Sequence, residues 1–218
     1  MKQKTFFLSV TLMTTMIYSC KKDKDPTSTP SITYPNYSQL KVGNYWVYEQ
    51  FDIDATGNAT SKNIFDSCYV EKDTIINSKI YLKMVKPNPY STNQSDISFQ
   101  KDSLHYIVNS NGKILFSSKD FSTIFESSYF LAGPNDTVCQ IVKQMADNNL
   151  TVSTLAGTFA TSNAKETYSM SPNWASVGNP RNKHTRYAEN IGIVIETLPF
   201  FASSPNYIER RLVRYHFN

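Results

Sequence analysis

Clustered metal ligands and nucleophile motifs are missing from this chain. Its three histidines, His105, His184 and His216, stand far apart, and Cys20, Cys68 and Cys139 show no Cys-x-x-Cys spacing. A metal centre needs such ligands gathered together, so no metal and no cofactor is expected. There is no Gly-x-Ser-x-Gly elbow to expose a nucleophilic serine, and no glycine-rich phosphate loop among only 7 glycines. Neither sign of charge dominates. The 22 Lys+Arg against 18 Asp+Glu give +4, which falls to +2 once Lys2 and Lys4 leave with a leader. That balance lacks the basic footprint of a nucleic-acid binder. No apolar run reaches the ~20 residues that a membrane-spanning helix needs.

What is present begins at the N-terminus. Lys2 and Lys4 precede an apolar run from Phe6 to Ile17, which ends in Tyr18-Ser19-Cys20 and is followed at once by Lys21-Lys22-Asp23-Lys24-Asp25. The run is short and interrupted by Ser9, Thr11, Thr14 and Thr15, as in the central region of a secretory signal. Ser19 is small enough for a signal peptidase to seat, and Cys20 offers a thiol for a diacylglycerol and then an amine for a further acyl chain such as palmitate. Two or more chains anchor stably, where one is marginal. Residues 1–19 are therefore read as a lipoprotein signal peptide, with Cys20 as the lipidated residue. The competing reading is an ordinary cleaved signal with Cys20 incidental. Tyr18 is bulkier than a lipobox usually carries at that position. Residues 20–38, rich in Pro, Ser and Thr, read as a flexible tether.

Residues 39–218 read as a single domain, large enough to bury a core. The composition, with 14 Tyr and 13 Phe, favours strands. Strand-like runs span Asn63 to Ile75, Lys79 to Val85, Asp96 to Gln100, Leu104 to Val108 and Lys113 to Phe116, separated by turn signals such as Asn77-Ser78 and Asn109-Ser110-Asn111-Gly112. Phe121 to Phe130 fits helix or strand, and Val138 to Met145 is read as a strand. The expected fold is mainly β: a curved antiparallel sheet, as half-barrel or sandwich, with at most one or two short helices. In the last run, Tyr207, Val213, Tyr215 and Phe217 are expected on one side, and Arg210, Arg214 and His216 on the other.

Three segments carry a family resemblance. Leu40 to Glu49, Leu155 to Phe159 and Tyr187 to Val194 resemble the "vGnyWvY", "AGTF" and "YAxxiGiV" signatures of small Bacteroidota envelope lipoproteins of unknown function. The resemblance implies a curved antiparallel sheet and an outer-membrane location, on the periplasmic face or the cell surface. It places Gly43, Gly157 and Gly192 at structural turns and supplies no catalytic residue. The charged patch after Cys20 resembles the export tags of surface-exposed members. Asp73-Thr74-Ile75, Asp102-Ser103-Leu104 and Asp136-Thr137-Val138 resemble O-glycosylation sites of that group, and the plain reading of each is a strand start.

Function is thinly written. Cys68 and Cys139 make an even pair in an oxidising compartment, so a disulfide between them is a candidate beside two buried thiols. Trp174, in a polar loop, either stacks on a sugar or plugs a core. Arg210 and Arg214 form either an anionic-ligand patch or a charged outer face. Asp52, Asp54, Asp66, Glu71 and Asp73 are the carboxylates available to an unrecognised hydrolase. The expectation is a non-catalytic binding or structural accessory module, attached to the membrane through its lipid anchor and holding a glycan, peptide or envelope protein. The alternatives are a carrier of a lipid or other apolar ligand in a half-barrel, and that hydrolase.

Overall fold

The computed structural model describes residues 33–88, 90–91, 94–200 and 206–218. The leader, Cys20 and the charged patch behind it fall outside these residues. Tyr34–Asn218 forms a compact body. It begins earlier than the expected boundary at residue 39, because Tyr37 and Ser38 are part of the packing. The Tyr37 ring lies 4.8 Å from that of Phe116, and the Ser38 hydroxyl donates to Asp102 at 2.7 Å.

Among the described residues the fold is antiparallel β, as the composition suggests. In the first half the strands are β1 (Tyr45–Ile53), β2 (Ala59–Ile76), β3 (Lys79–Pro87), β4 (Ser95–Ser103), β5 (Tyr106–Asn109) and β6 (Ile114–Ser117). In the second half they are β7 (Glu126–Gly133), β8 (Asp136–Met145), β9 (Leu150–Thr154), β10 (Gly157–Met170), β11 (Arg181–Ala188), β12 (Gly192–Pro199) and β13 (Tyr207–His216). A short 3₁₀ helix, Pro172–Val177, precedes β11. The ambiguous Phe121 to Phe130 segment resolves into a loop followed by β7.

The strand order β6-β5-β4-β3-β2-β1-β13-β12-β11-β10-β8-β7 consists of two meanders joined at β1–β13, with β9 paired to β10 off this path. This order makes the sheet curl. Laid flat, its two ends would be roughly 50 Å apart at the usual strand spacing. The link from Ser117 to Glu126 reaches only about 30 Å fully extended. The ends accordingly approach each other in a nearly closed, barrel-like sheet. Lys113 pairs with Glu126 at 2.6 Å, the Ser117 amide donates to the Met145 sulfur at 3.4 Å, and the rings of Phe116 and Tyr187 lie 4.5 Å apart.

Local chemistry sets the turns. Asn77 and Ser78 both have positive φ (49° and 60°), the geometry that matches strand twist in a two-residue hairpin. Leu104, expected to open a strand, instead sits in the β4–β5 turn with φ 57°. In β13 a bulge intervenes, since Val47 pairs with Arg214 but Tyr48 pairs with Leu212. The extra residue, Val213, inverts the alternation beyond it. Arg210 and Leu212 therefore share a face with Tyr215 and Phe217, and Arg214 points the other way. The expectation that Arg210 and Arg214 share a side is overturned by this one residue.

The three signature segments meet in one cluster built on Trp46, Tyr48, Cys68, Val70, Ala188, Val194 and Leu212. The Trp46 indole N–H donates to the Ile191 carbonyl at 2.6 Å, and the Tyr48 hydroxyl donates to that of Ile193 at 2.9 Å. Gly192 has φ 95°, and a Cβ there would come within 3.3 Å of the Trp46 indole nitrogen. Glycine is thus required both for the backbone and for the ring above it. Ala156 and Phe159 pack on the same cluster, with the Ala156 amide donating to Leu212 O at 3.3 Å beside the bulge.

Candidate functional site

The barrel interior is not filled. A cavity of about 240 Å³ lies inside it, lined by residues of both meanders. Its apolar wall comes from Trp46, Tyr48, Met84, Ile107, Tyr187 and Ile193, and Ser98, Gln100 and Asn109 add a polar strip. Trp46 and Tyr48 commit their polar tips to the Ile191 and Ile193 carbonyls, so the surface they offer is ring.

The floor is ionic. Arg210, 2% exposed, is held by Asp66 and by Glu196, whose Oε2 accepts from Nη1 at 2.8 Å. Gln50 donates to Asp66 at 2.8 Å, Cys68 Sγ lies 3.0 Å from Arg210 Nη2, and the guanidinium carbon sits 4.5 Å above the Tyr48 ring. Three lysines complete the floor. Lys86 Nζ is 3.2 Å from Glu196, Lys183 Nζ is 3.4 Å from Glu166 and 3.9 Å from Glu196, and Lys143 Nζ is 3.7 Å from Glu166. Tyr168 donates its hydroxyl to Glu166 at 2.9 Å. Each of these charges sits singly on its strand, at an inward position, and the curl of the sheet brings them together.

Burial alone would raise the Glu196 carboxyl, but Lys86, Lys183 and Arg210 outweigh it and hold it well below its ordinary range. Glu166 behaves alike: burial is opposed by Lys183 and Lys143, and the net shift is downward. Burial opposes the charge of Lys183 too, yet Glu196 and Glu166 raise its pKa overall. Lys143 is the exception. Burial lowers its pKa, and Glu166 does not make up the loss.

The residues singled out from sequence are dispersed. Arg210 lies on the cavity floor, and Arg214 is exposed on the opposite face of β13. Trp174 packs against the cluster of Val138, Cys139 and Met170, and its indole N–H donates to Asp136 Oδ1 at 3.1 Å, so it plugs a minor core. Gly43, Gly157 and Gly192 all have positive φ. Of the early carboxylates only Asp66 reaches the floor. Among the described residues no group of three or more His, Cys, Asp or Glu side chains is placed to hold a metal, and no helix is long and apolar enough to cross a membrane.

Cys68 and Cys139 are both buried thiols, not a disulfide. Cys68 on β2 faces the Trp46 cluster, whereas Cys139 on β8 belongs to the cluster with Val138 and Met170. Burial raises both thiols above their ordinary pKa, which suppresses the reactive thiolate. Two observations are expected: a thiol reagent titrates both only after denaturation, and a reductant leaves the melting temperature unchanged.

No protein-family model matches the chain, and no curated protein matches it. Among solved structures it is similar to a protein from Bacteroides fragilis, named as an exported protein with a YmcC-like fold. The two are 15% identical, and the match covers 84% of this chain and 100% of that one at a TM-score of 0.47. It is also similar to a protein from Parabacteroides distasonis, named as a lipoprotein, again 15% identical over 84% and 100% of the two chains, with a TM-score of 0.45.

Proposed function

We propose that this chain is a lipid-anchored protein of a bacterial cell envelope that binds a small ligand, without catalysis, in the interior of its barrel. The observation that carries the binding role is the cavity itself: a space of about 240 Å³ with a mixed apolar and charged lining, at the centre of the sheet. Ligand sites combine apolar walls with a few convergent polar groups. An enclosed ligand now takes precedence over a glycan or protein held at the surface through Trp174 or Arg214, because those side chains do not converge. Neither cavity glutamate has the raised pKa of a general acid, because the cations around them outweigh burial.

The anchor rests on the arrangement of the apolar run, Ser19 and Cys20. Mass spectrometry of protein from its native cells is expected to find Cys20 at the N-terminus, bearing diacylglycerol. Cys20→Ser is expected to release the chain from the membrane fraction. A bare thiol at Cys20, or an uncleaved leader, would overturn the anchor. Protease treatment of intact cells separates the cell surface from the periplasmic face: cleavage shows surface exposure.

A further inference from the structure

The donors on the cavity floor outnumber the acceptors that reach them. Lys86, Lys143 and Lys183 together carry nine ammonium N–H donors. Among the described residues their nitrogens lie within hydrogen-bond reach of a carboxylate only at Lys86–Glu196, 3.2 Å, and Lys183–Glu166, 3.4 Å. Lys143 stands 3.7 Å from its nearest carboxylate oxygen, beyond ordinary hydrogen-bond length. Its side chain is 14% exposed and lines the cavity, so the donors that Glu166 does not take up face that space. Lys86, Lys143, Lys183 and Arg210 stand with Asp66, Glu166 and Glu196, and Asp96 lies in the same lining, so the inner charges balance overall and the shortfall of acceptors is local to Lys143. Asp96, the remaining carboxylate in the lining, is engaged at the β3–β4 end by the Asn88 side-chain amide at 3.0 Å. Above this floor stands the wall of Trp46, Tyr187 and Ile193 rings and alkyl groups.

Resting on the reading of the cavity as a binding site, we infer that its ligand is a small amphipathic monoanion, with its anionic oxygens on Lys143 and Lys183 and its apolar body against Trp46, Tyr187 and Ile193. Size follows from volume. A cavity of about 150 Å³ takes up benzene, six heavy atoms, so by proportion this one takes about ten. A carboxylate with a short alkyl or aryl body has that size and supplies two acceptor oxygens to the Lys143 and Lys183 donors.

The test uses the full chain carrying Cys20→Ser, so that no acyl chain competes. Octanoate, octanol, octylamine and inorganic phosphate are titrated by calorimetry, while NMR follows the Trp46 and Trp174 indole N–H signals. Octanoate is expected to shift the Trp46 signal and to bind about tenfold or more tighter than each other probe, the range of one charge-assisted hydrogen bond. Lys143→Met should erase that preference, Lys143→Arg should retain it, and Glu166→Gln, which removes a competing anion, should strengthen it. Octanol or octylamine matching octanoate at Trp46 would overturn the anionic assignment and leave the cavity reading standing. Phosphate matching octanoate would overturn the role of the apolar wall. If no probe moves the Trp46 signal, the cavity reading falls as well. A Lys143→Met protein that still prefers octanoate would remove Lys143 from the site.

Discussion

Arg210→Ala is expected to cost about 3–5 kcal/mol of unfolding free energy, the range for removing one partner of a buried ion pair. Arg210 is almost fully enclosed and joins Asp66 to Glu196 across three strands, β2, β12 and β13. Without it, among the described residues Asp66 keeps only Gln50 as a side-chain donor, and Glu196 must rely on lysines at 3.2 and 3.9 Å. Urea titration with the slope held common to both proteins measures the loss. A change under about 1 kcal/mol would show that the floor contributes little. The same network sets the acid response. The folded pKa values of Glu196 and Glu166 lie below their ordinary 4.5, so as pH falls the unfolded chain takes up these protons first. Their stabilisation is present in full above about pH 4.5 and is lost as pH drops through the folded values. Lys183 has the opposite sign. Its raised pKa contributes fully below its ordinary 10.5 and is lost as pH climbs past the folded value. Unfolding midpoints measured from pH 7 to pH 3 are expected to fall, and to fall less steeply in Arg210→Ala.

Trp46→Ala carries the second large effect, about 3–5 kcal/mol for emptying a buried indole site. Trp46 is 3% exposed, and its loss also strands the Ile191 carbonyl that accepts its N–H. Gly192→Ala alone meets two obstacles, a positive φ and the Trp46 ring at 3.3 Å. With Trp46 already truncated, only the backbone term, about 1 kcal/mol, persists. The double variant is therefore expected to be less damaged than the sum of the singles, by about 0.5–3 kcal/mol. Strict additivity would mean that ring and turn do not sense each other.

How far the sequence shows the fold and the site can be judged residue by residue. Alternation along the strands and turn signals such as Asn77-Ser78 carry the antiparallel class, because they are local. Face assignment in β13 does not follow from alternation, since the bulge at Val213 depends on how β1 lies alongside. The Tyr34–Ser38 stretch looks like tether by composition, yet it packs because Tyr37 finds Phe116. The cavity floor is hardest to read. Lys86, Lys143, Lys183 and Glu166 each look like an ordinary outward charge on an amphipathic strand, and only closure of the sheet turns those faces inward. Two signals were available. Glu196 interrupts the apolar run Ile191 to Leu198, and Arg210 lies two residues from each of Ile208 and Leu212 on the same face of β13. A charge embedded among aliphatic neighbours on a strand calls for a buried partner.

Ser38 belongs to both the entry of the body and the cavity lining. This has a practical consequence for anyone preparing the protein. A truncation at residue 39, where composition suggests a clean start, deletes a piece of the chamber wall and leaves the Asp102 carboxylate, already raised by burial, without its hydroxyl donor. Expression boundaries need to begin upstream of Tyr34, and fusion partners placed at that end should be set well before it.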